Sequence, residues 1–161
     1  MMYTVSDIQR ITQSYPNLCA FGFRDTFRAD DLPLTDPTVI PQINAAGIFI
    51  RERCQQTAQI QRKDTSYGWK HVAESWLRES QMGGYVSNGA FIAAAALAGY
   101  RVERDAPQKP NAVFNMRSRP LARKLVPGEA AALGQVAPGP ATTQADPRRK
   151  LCECQNGLRH Y

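Results

Sequence analysis

The sequence predicts an α+β fold in which a mostly helical core packs against a small antiparallel strand pair. Apolar side chains recur at helical spacing within residues 65–80, and residues 89–99 are apolar on every face of a helix. The short stretches 100–103 and 112–116 have strand-like composition and flank a turn at 106–110. Helical and strand signals in one chain of this size predict a single α+β domain.

The first part of the chain contains weaker signals. Ser6 and Gln9 fit a capping box at the start of a helix that Pro16 ends. Residues 20–29 predict a strand or strand pair, and the proline- and aspartate-rich residues 30–41 predict a loop. Helical spacing of small and apolar side chains then predicts one helix across residues 42–62.

The helix pair within residues 65–100 is the best-specified segment. Its first helix has an unbroken apolar stripe made by Trp69, Val72, Ala73, Trp76 and Leu77. A glycine-containing loop at 81–84 ends it, and Ser87 or Asn88 is suited to cap the next helix. Gly99 suits the end of that alanine-rich second helix, which we expect to be buried because it has no polar face.

Composition changes sharply after this domain. We predict a globular domain over residues 1–118 and a Pro/Ala/Gly-rich basic tail over residues 119–161, flexible and largely disordered unless bound. Residues 1–100 contain nine basic and nine acidic side chains, so the net charge of +6 arises entirely after residue 100. This asymmetry fits an acidic partner, whether nucleic acid, ribonucleoprotein or protein, and it equally fits a tail that only aids solubility.

The predicted compartment is the cytoplasm, without a membrane role. The N-terminal residues lack the apolar stretch of a secretory signal, and the apolar run 89–100 is shorter than the roughly 18–20 residues of a membrane span. Isolated Cys19 and Cys54 are expected to be reduced core residues.

One candidate catalytic pair lies on the polar face of the Trp69 helix. His71 and Glu74 are three residues apart, so a carboxylate can orient the imidazole for general acid–base chemistry. Lys70 and Arg78 extend the same face. The alternative is an ordinary solvated helix face, which has the same pattern of polar residues.

The candidate binding residues combine basic side chains with a helix N-terminus, and they are Lys70, Ser87, Asn88, Arg117, Arg119, Arg123 and Lys124. Basic clusters neutralise phosphates, and a helix N-terminus can bind an anion. The second helix has no side chains suited to major-groove contacts beyond Ser87 and Asn88. Because no aromatic residues interleave with the basic clusters, the sequence does not predict a platform for stacking bases.

Metal and cofactor sites are not predicted. Cys152, Cys154 and His160 supply too few ligands for structural zinc and lack the usual Cys-x₂-Cys spacing. Phosphate-binding, dinucleotide-binding, zinc-protease and nucleophile-elbow motifs are absent from the sequence, so we expect no cofactor and favour a protein that is not an enzyme.

Three segments carry a family resemblance: SYGWKHVAE at 66–74, GYVSNGAFIAAAALAGY at 84–100 and NAVFN at 111–115. Together they resemble small uncharacterised proteins of bacterial phages, plasmids and integrative elements. The resemblance implies an accessory role, such as interference with a host defence complex or with DNA maintenance.

These observations lead to one principal hypothesis and two alternatives. The principal one is a non-enzymatic accessory protein of a phage or mobile element that binds a host nucleoprotein or defence complex, in the manner of an anti-CRISPR protein. The first alternative is a small enzyme that uses His71 and Glu74 as an acid–base pair. The second is a DNA-binding regulator, which would require dimerisation and an exposed second helix.

Overall fold

Four helices and five short strands run through residues 2–119, the part of the chain that the computed structural model describes. In chain order they are α1 (Val5–Ser14), β1 (Leu18–Cys19), β2 (Gly22–Phe23), α2 (Ile40–Arg53), β3 (Cys54–Gln61), α3 (Ser66–Glu79), α4 (Asn88–Leu97), β4 (Val102–Arg104) and β5 (Ala112–Ser118). The α+β class predicted from the sequence is confirmed.

Helix α4 is the centre of the core. Every residue from Asn88 to Ala95 is buried, and the helix contacts α1, α2 and α3 as well as strands of both sheets. Ser87 caps it by accepting a hydrogen bond from the Ala90 N–H at 3.4 Å, and Gly99 ends it with a φ of +83°. These features agree with the sequence, because an alanine-rich helix lets neighbouring backbones approach closely.

The main sheet has three antiparallel strands in the order β3-β5-β4. Val102 pairs with Phe114 between β4 and β5, so the predicted strand pair is confirmed. Apolar side chains of β5 face the helices, and Phe114 packs against Phe91 of α4 with ring centroids 5.8 Å apart. The sheet therefore covers one side of the central helix.

The single helix predicted over residues 42–62 is wrong. Helix α2 ends at Arg53, and the chain continues as β3, whose Cys54 pairs with Ser118 of β5. A bulge between Gln56 and Gln61 shifts the register. Backbone pairing with a strand distant in the sequence decides the structure here, because the polar side chains of β3 have no strong preference of their own.

Two further predictions need correction near the N-terminus. The capping box of α1 is formed by Thr4 and Asp7 instead of Ser6 and Gln9: Thr4 Oγ1 accepts from the Asp7 N–H at 3.2 Å, and Asp7 Oδ2 accepts from the Thr4 N–H at 2.8 Å. The strand signal in residues 20–29 corresponds only to the short hairpin β1–β2, which is shifted toward the N-terminus.

Several predicted features lie outside residues 2–119: Arg123, Lys124, Cys152, Cys154, His160 and almost all of the basic tail. Cys19 and Cys54 are both buried free thiols, as expected for core cysteines. Among the helices described, none has the length and apolar character that crossing a membrane requires.

Candidate functional site

The polar face of α3 contains a hydrogen-bonded group centred on Glu74. His71 Nδ1 lies 2.9 Å from Glu74 Oε2, and Lys70 Nζ lies 3.2 Å from Glu74 Oε1. The same Oε1 accepts the backbone N–H of Val86 at 3.1 Å. Glu74 thus joins α3 to the segment that leads into α4, in addition to contacting His71.

The pattern of α3 predicted a Lys70 that faces solvent, and this prediction is wrong. The residue is only 8% exposed, and its ammonium lies 5.3 Å from the ring centroid of Tyr67 and 5.6 Å from that of Tyr85. Two aromatic faces and the Glu74 carboxylate replace the water that a lysine ammonium otherwise binds. This contact set makes Lys70 a structural residue of the helix pair.

The pKa of the Glu74 carboxyl reflects opposing effects. Burial raises it, but hydrogen bonds from the Val86 N–H, Lys70 and His71 outweigh burial and place the pKa below the usual 4.5. A carboxyl whose pKa is lower in the folded state than in the unfolded state stabilises the fold above its unfolded-state pKa. That stabilisation is lost as the pH falls through the folded-state value.

Replacing Glu74 with glutamine is expected to lower the free energy of unfolding at neutral pH by about 1–2 kcal/mol, because charge-assisted hydrogen bonds become neutral ones. Urea unfolding measures this loss. Between about pH 6 and pH 3 the wild-type protein should lose more stability than E74Q, since the variant has no carboxyl to protonate. Glu52→Gln is the control, because Glu52 is exposed. Parallel pH profiles for wild type and E74Q would contradict the assignment.

An open cleft of about 450 Å³ lies beside this group, between the end of the sheet and helices α2 and α3. We call it the arginine cleft, and its lining residues are Phe49, Arg53, His71, Val72, Ser75, Trp76, Glu79, Ser118 and Arg119. Trp76 is half-buried, and its ring centroid lies 5.8 Å from that of Phe49 in an edge-to-face contact. The cleft therefore combines an aromatic wall with two arginines.

The two arginines of the cleft are held by the backbone where α2 passes into β3. The Arg119 N–H donates to the Arg53 carbonyl at 2.7 Å, which extends the β3–β5 pairing by one step. Arg119 Nε also donates to the Cys54 carbonyl at 2.9 Å. Arg119 in addition lines a second open cleft together with Arg51, so Arg119 borders both clefts.

Arg117 lies at the exposed end of β5, where it pairs with Gln55, a lining residue of the second cleft. With its amide oxygen toward Arg117, Gln55 accepts from the arginine Nε at 2.8 Å. Within residues 2–119, none of Arg51, Arg53, Arg117 and Arg119 forms an ion pair with a carboxylate. We refer to these four residues as the arginine surface.

Ser87 and Asn88 do not present an open anion site. They are 4% and 7% exposed, respectively. Asn88 Nδ2 donates to the Pro110 carbonyl at 3.0 Å and to Asn111 Oδ1 at 3.2 Å, which fastens the start of α4 to the loop before β5. The N-terminus of α4 is therefore occupied by the domain itself, and an accessible phosphate cradle is not formed there.

His71 is paired with Glu74 at the edge of the cleft. This pair orients the imidazole, and the His71 side chain is half-exposed at the cleft. Ser75 and Ser118 line the same cleft, but neither hydrogen-bonds to His71 in the described residues. Burial raises the pKa of the Cys54 thiol to about 12, so this cysteine remains protonated and is a poor nucleophile.

Within residues 2–119, no group of three or more His, Cys, Asp or Glu side chains is arranged to hold a metal ion. Comparison of the chain with models of protein families, with curated proteins and with solved structures found no match. Any function has to be inferred from the site itself.

The sequence placed Arg117 and Arg119 among the binding candidates but did not associate them with Arg53, Phe49 or Trp76. Trp76 belongs to an amphipathic stripe, which normally indicates core packing. Arg53 falls within the segment that was predicted to be one long helix. A β-strand prediction starting at Cys54 would have placed Arg53 at the end of the sheet.

Proposed function

We propose that this chain is a non-enzymatic accessory binding protein of a phage or other mobile element that acts by occupying a host protein or nucleoprotein complex, such as a defence complex. The arginine surface is the observation that carries the proposal. Its arginines come from the end of α2 and from the end of β5. The hydrogen bond from the Arg119 N–H to the Arg53 carbonyl holds these two chain segments side by side.

Unpaired arginines at one place favour an anionic partner. Within the described residues, other basic side chains such as Arg24, Arg62 and Arg104 are neutralised by carboxylates at 3.2, 2.7 and 2.5 Å. Two of the surface arginines, Arg51 and Arg53, also lie in the last turn of α2, where a cation is favoured by the helix dipole. That local effect accounts for their presence in the helix but not for their clustering with Arg117 and Arg119.

The class of protein rests on the resemblance of residues 66–74, 84–100 and 111–115 to small proteins of phages, plasmids and integrative elements. Those segments contain all of α4 and the first parts of α3 and β5, and they include His71 and Val72 of the arginine cleft. An accessory protein that blocks a host complex needs a binding surface and no reaction. A cytoplasmic location follows from this role, since host nucleoprotein complexes act there.

The test is capture of host partners on the immobilised full-length protein, with the bound proteins and nucleic acids quantified across a series of salt concentrations. Charge-driven binding weakens as salt rises. The double variant R53Q/R117Q is expected to reduce capture about tenfold at physiological salt, on the basis of two partly exposed charge contacts.

The matched control is Arg28→Gln, because Arg28 is exposed and forms no ion pair within residues 2–119. R28Q should capture the same partners as wild type with the same salt dependence. If R53Q/R117Q behaves like R28Q, the arginine surface is not the binding surface and the proposal fails.

A further inference from the structure

We propose that the arginine cleft binds one unpaired nucleotide of a single-stranded nucleic acid, with the base against Trp76 and the flanking phosphates at Arg53 and Arg119. This inference rests on the proposed function, because it names the component of a host nucleoprotein complex that the cleft contacts. From the sequence, we expected no site where aromatic and basic residues meet, but the cleft brings Trp76 together with Arg53 and Arg119.

The aromatic wall is the first element of the site. Trp76 is half-buried and makes an edge-to-face contact with Phe49, so its position is set by packing while part of the side chain stays accessible. Val72, one turn earlier on α3, is 52% exposed and extends the apolar surface. Proteins that bind single strands use such accessible rings as stacking surfaces for bases, with little dependence on sequence.

The charges around this wall fit a phosphate backbone. Arg53 and Arg119 both line the cleft, whereas Glu79 is the one carboxylate among its lining residues. Neither arginine forms an ion pair within residues 2–119, so no carboxylate there has to be displaced before an anion binds. His71, Ser75 and Ser118 add hydrogen-bonding groups at the same cleft.

The size and shape of the cleft favour an unpaired nucleotide over a duplex. Its volume of about 450 Å³ lies within the range of about 300–1,000 Å³ that is typical of small-ligand sites. A base held in a duplex is stacked on its neighbours and cannot enter a concave site, whereas an unpaired base can turn outward and stack on a protein ring.

An acidic peptide is the competing occupant, and it matches the cleft less well. Carboxylate side chains need only guanidinium groups, which the exposed Arg117 supplies outside the cleft. A nucleotide carries a flat apolar ring and an anionic group in one unit, and the cleft places Trp76 beside Arg53 and Arg119. The aromatic wall therefore distinguishes the two classes of ligand.

Tryptophan fluorescence tests the proposal directly, because the chain has two tryptophans and only Trp76 lines the cleft. In W69F the remaining emission comes from Trp76. The probes are an oligothymidine of about eight nucleotides, an abasic oligomer of the same length, a DNA duplex and an oligoglutamate of equal charge. We expect saturable quenching by oligothymidine and at least tenfold weaker binding of the other three.

Variants of the cleft complete the test. W76L is expected to weaken oligothymidine binding at least tenfold, measured by fluorescence anisotropy of a labelled oligomer, while W76F should retain most of the affinity because it preserves an aromatic ring. Arg119→Gln should weaken binding and lower its salt dependence, and Arg28→Gln should change neither. Thermal unfolding of each variant confirms that it is folded.

Equal affinity for abasic and base-containing oligomers would overturn the inference, since binding would then need only charge. Equal or tighter binding of oligoglutamate would overturn it in favour of an acidic protein. Either result leaves the proposed function in place if capture of the host partner still depends on Arg53 and Arg117. Loss of that dependence removes the proposed function, whatever the oligomers show.

Discussion

Replacing Gly89 with alanine is expected to destabilise the domain by about 3–5 kcal/mol, at the upper end of the effects of single substitutions. Gly89 lies in the first turn of α4, where its N–H donates to the Ala20 carbonyl at 2.8 Å. A Cβ atom at this position would lie 1.7 Å from the Cys19 carbonyl oxygen and within 3 Å of backbone carbons of Cys19 and Ala20. Backbone atoms of a paired hairpin cannot move aside as a flexible side chain would.

Urea unfolding followed by circular dichroism measures this effect, and Gly68→Ala is the matched control. Gly68 also lies in a helix, but no other part of the fold comes within 4 Å of the place that an alanine Cβ atom would take there. G68A should therefore gain about 0.5–1 kcal/mol from the better helix propensity of alanine. A stability of G89A close to that of wild type would mean that the hairpin β1–β2 does not pack on α4 as described.

Replacing Phe91 with alanine is also expected to have a large effect, lowering the free energy of unfolding by about 3–5 kcal/mol. Phe91 is fully buried on α4, and its ring centroid lies 5.8 Å from that of Phe114 and 6.3 Å from that of Phe49. Phe49 in turn contacts Trp76. The aromatic contacts therefore run from the sheet through the central helix to the arginine cleft.

The measurement combines urea unfolding with the emission spectrum of Trp76 in a W69F background. F91A should shift that spectrum in the native state, because Phe49 loses a neighbour that holds it against Trp76. Phe27→Ala is the control, since Phe27 is 51% exposed and its removal should cost little stability. An unchanged Trp76 spectrum in F91A would show that the cleft wall is independent of the core.

Local sequence patterns were sufficient to locate the helices α3 and α4, but not to place every side chain of α3. Trp69, Ala73 and Leu77 of the predicted stripe are at most 7% exposed, whereas Val72 of the same stripe is 52% exposed. The apolar composition of α4 likewise required burial on all sides. Such signals are complete within one turn or two, so no distant partner is needed to interpret them.

Long-range contacts decided the regions where prediction was wrong. Residues 54–61 became a strand because β5 offers backbone partners, although the two strands are far apart in sequence. Lys70 became buried because Tyr85, from the segment before α4, covers its ammonium together with Tyr67 and Glu74 of its own helix. Neither outcome follows from helical periodicity, because the spacing of polar and apolar residues does not show which groups a polar side chain or a backbone segment will contact.

Some features of the candidate site follow from local sequence, and others depend on the tertiary structure. The sequence by itself determined the α+β class, the buried alanine-rich helix and the presence of arginines at and just after the end of the last strand. The tertiary structure alone placed Arg53 beside Arg119 and both beside Trp76, because antiparallel pairing of β3 with β5 joins segments that the sequence separates. Periodicity is a property of one segment, whereas a cleft is formed by the spatial meeting of several.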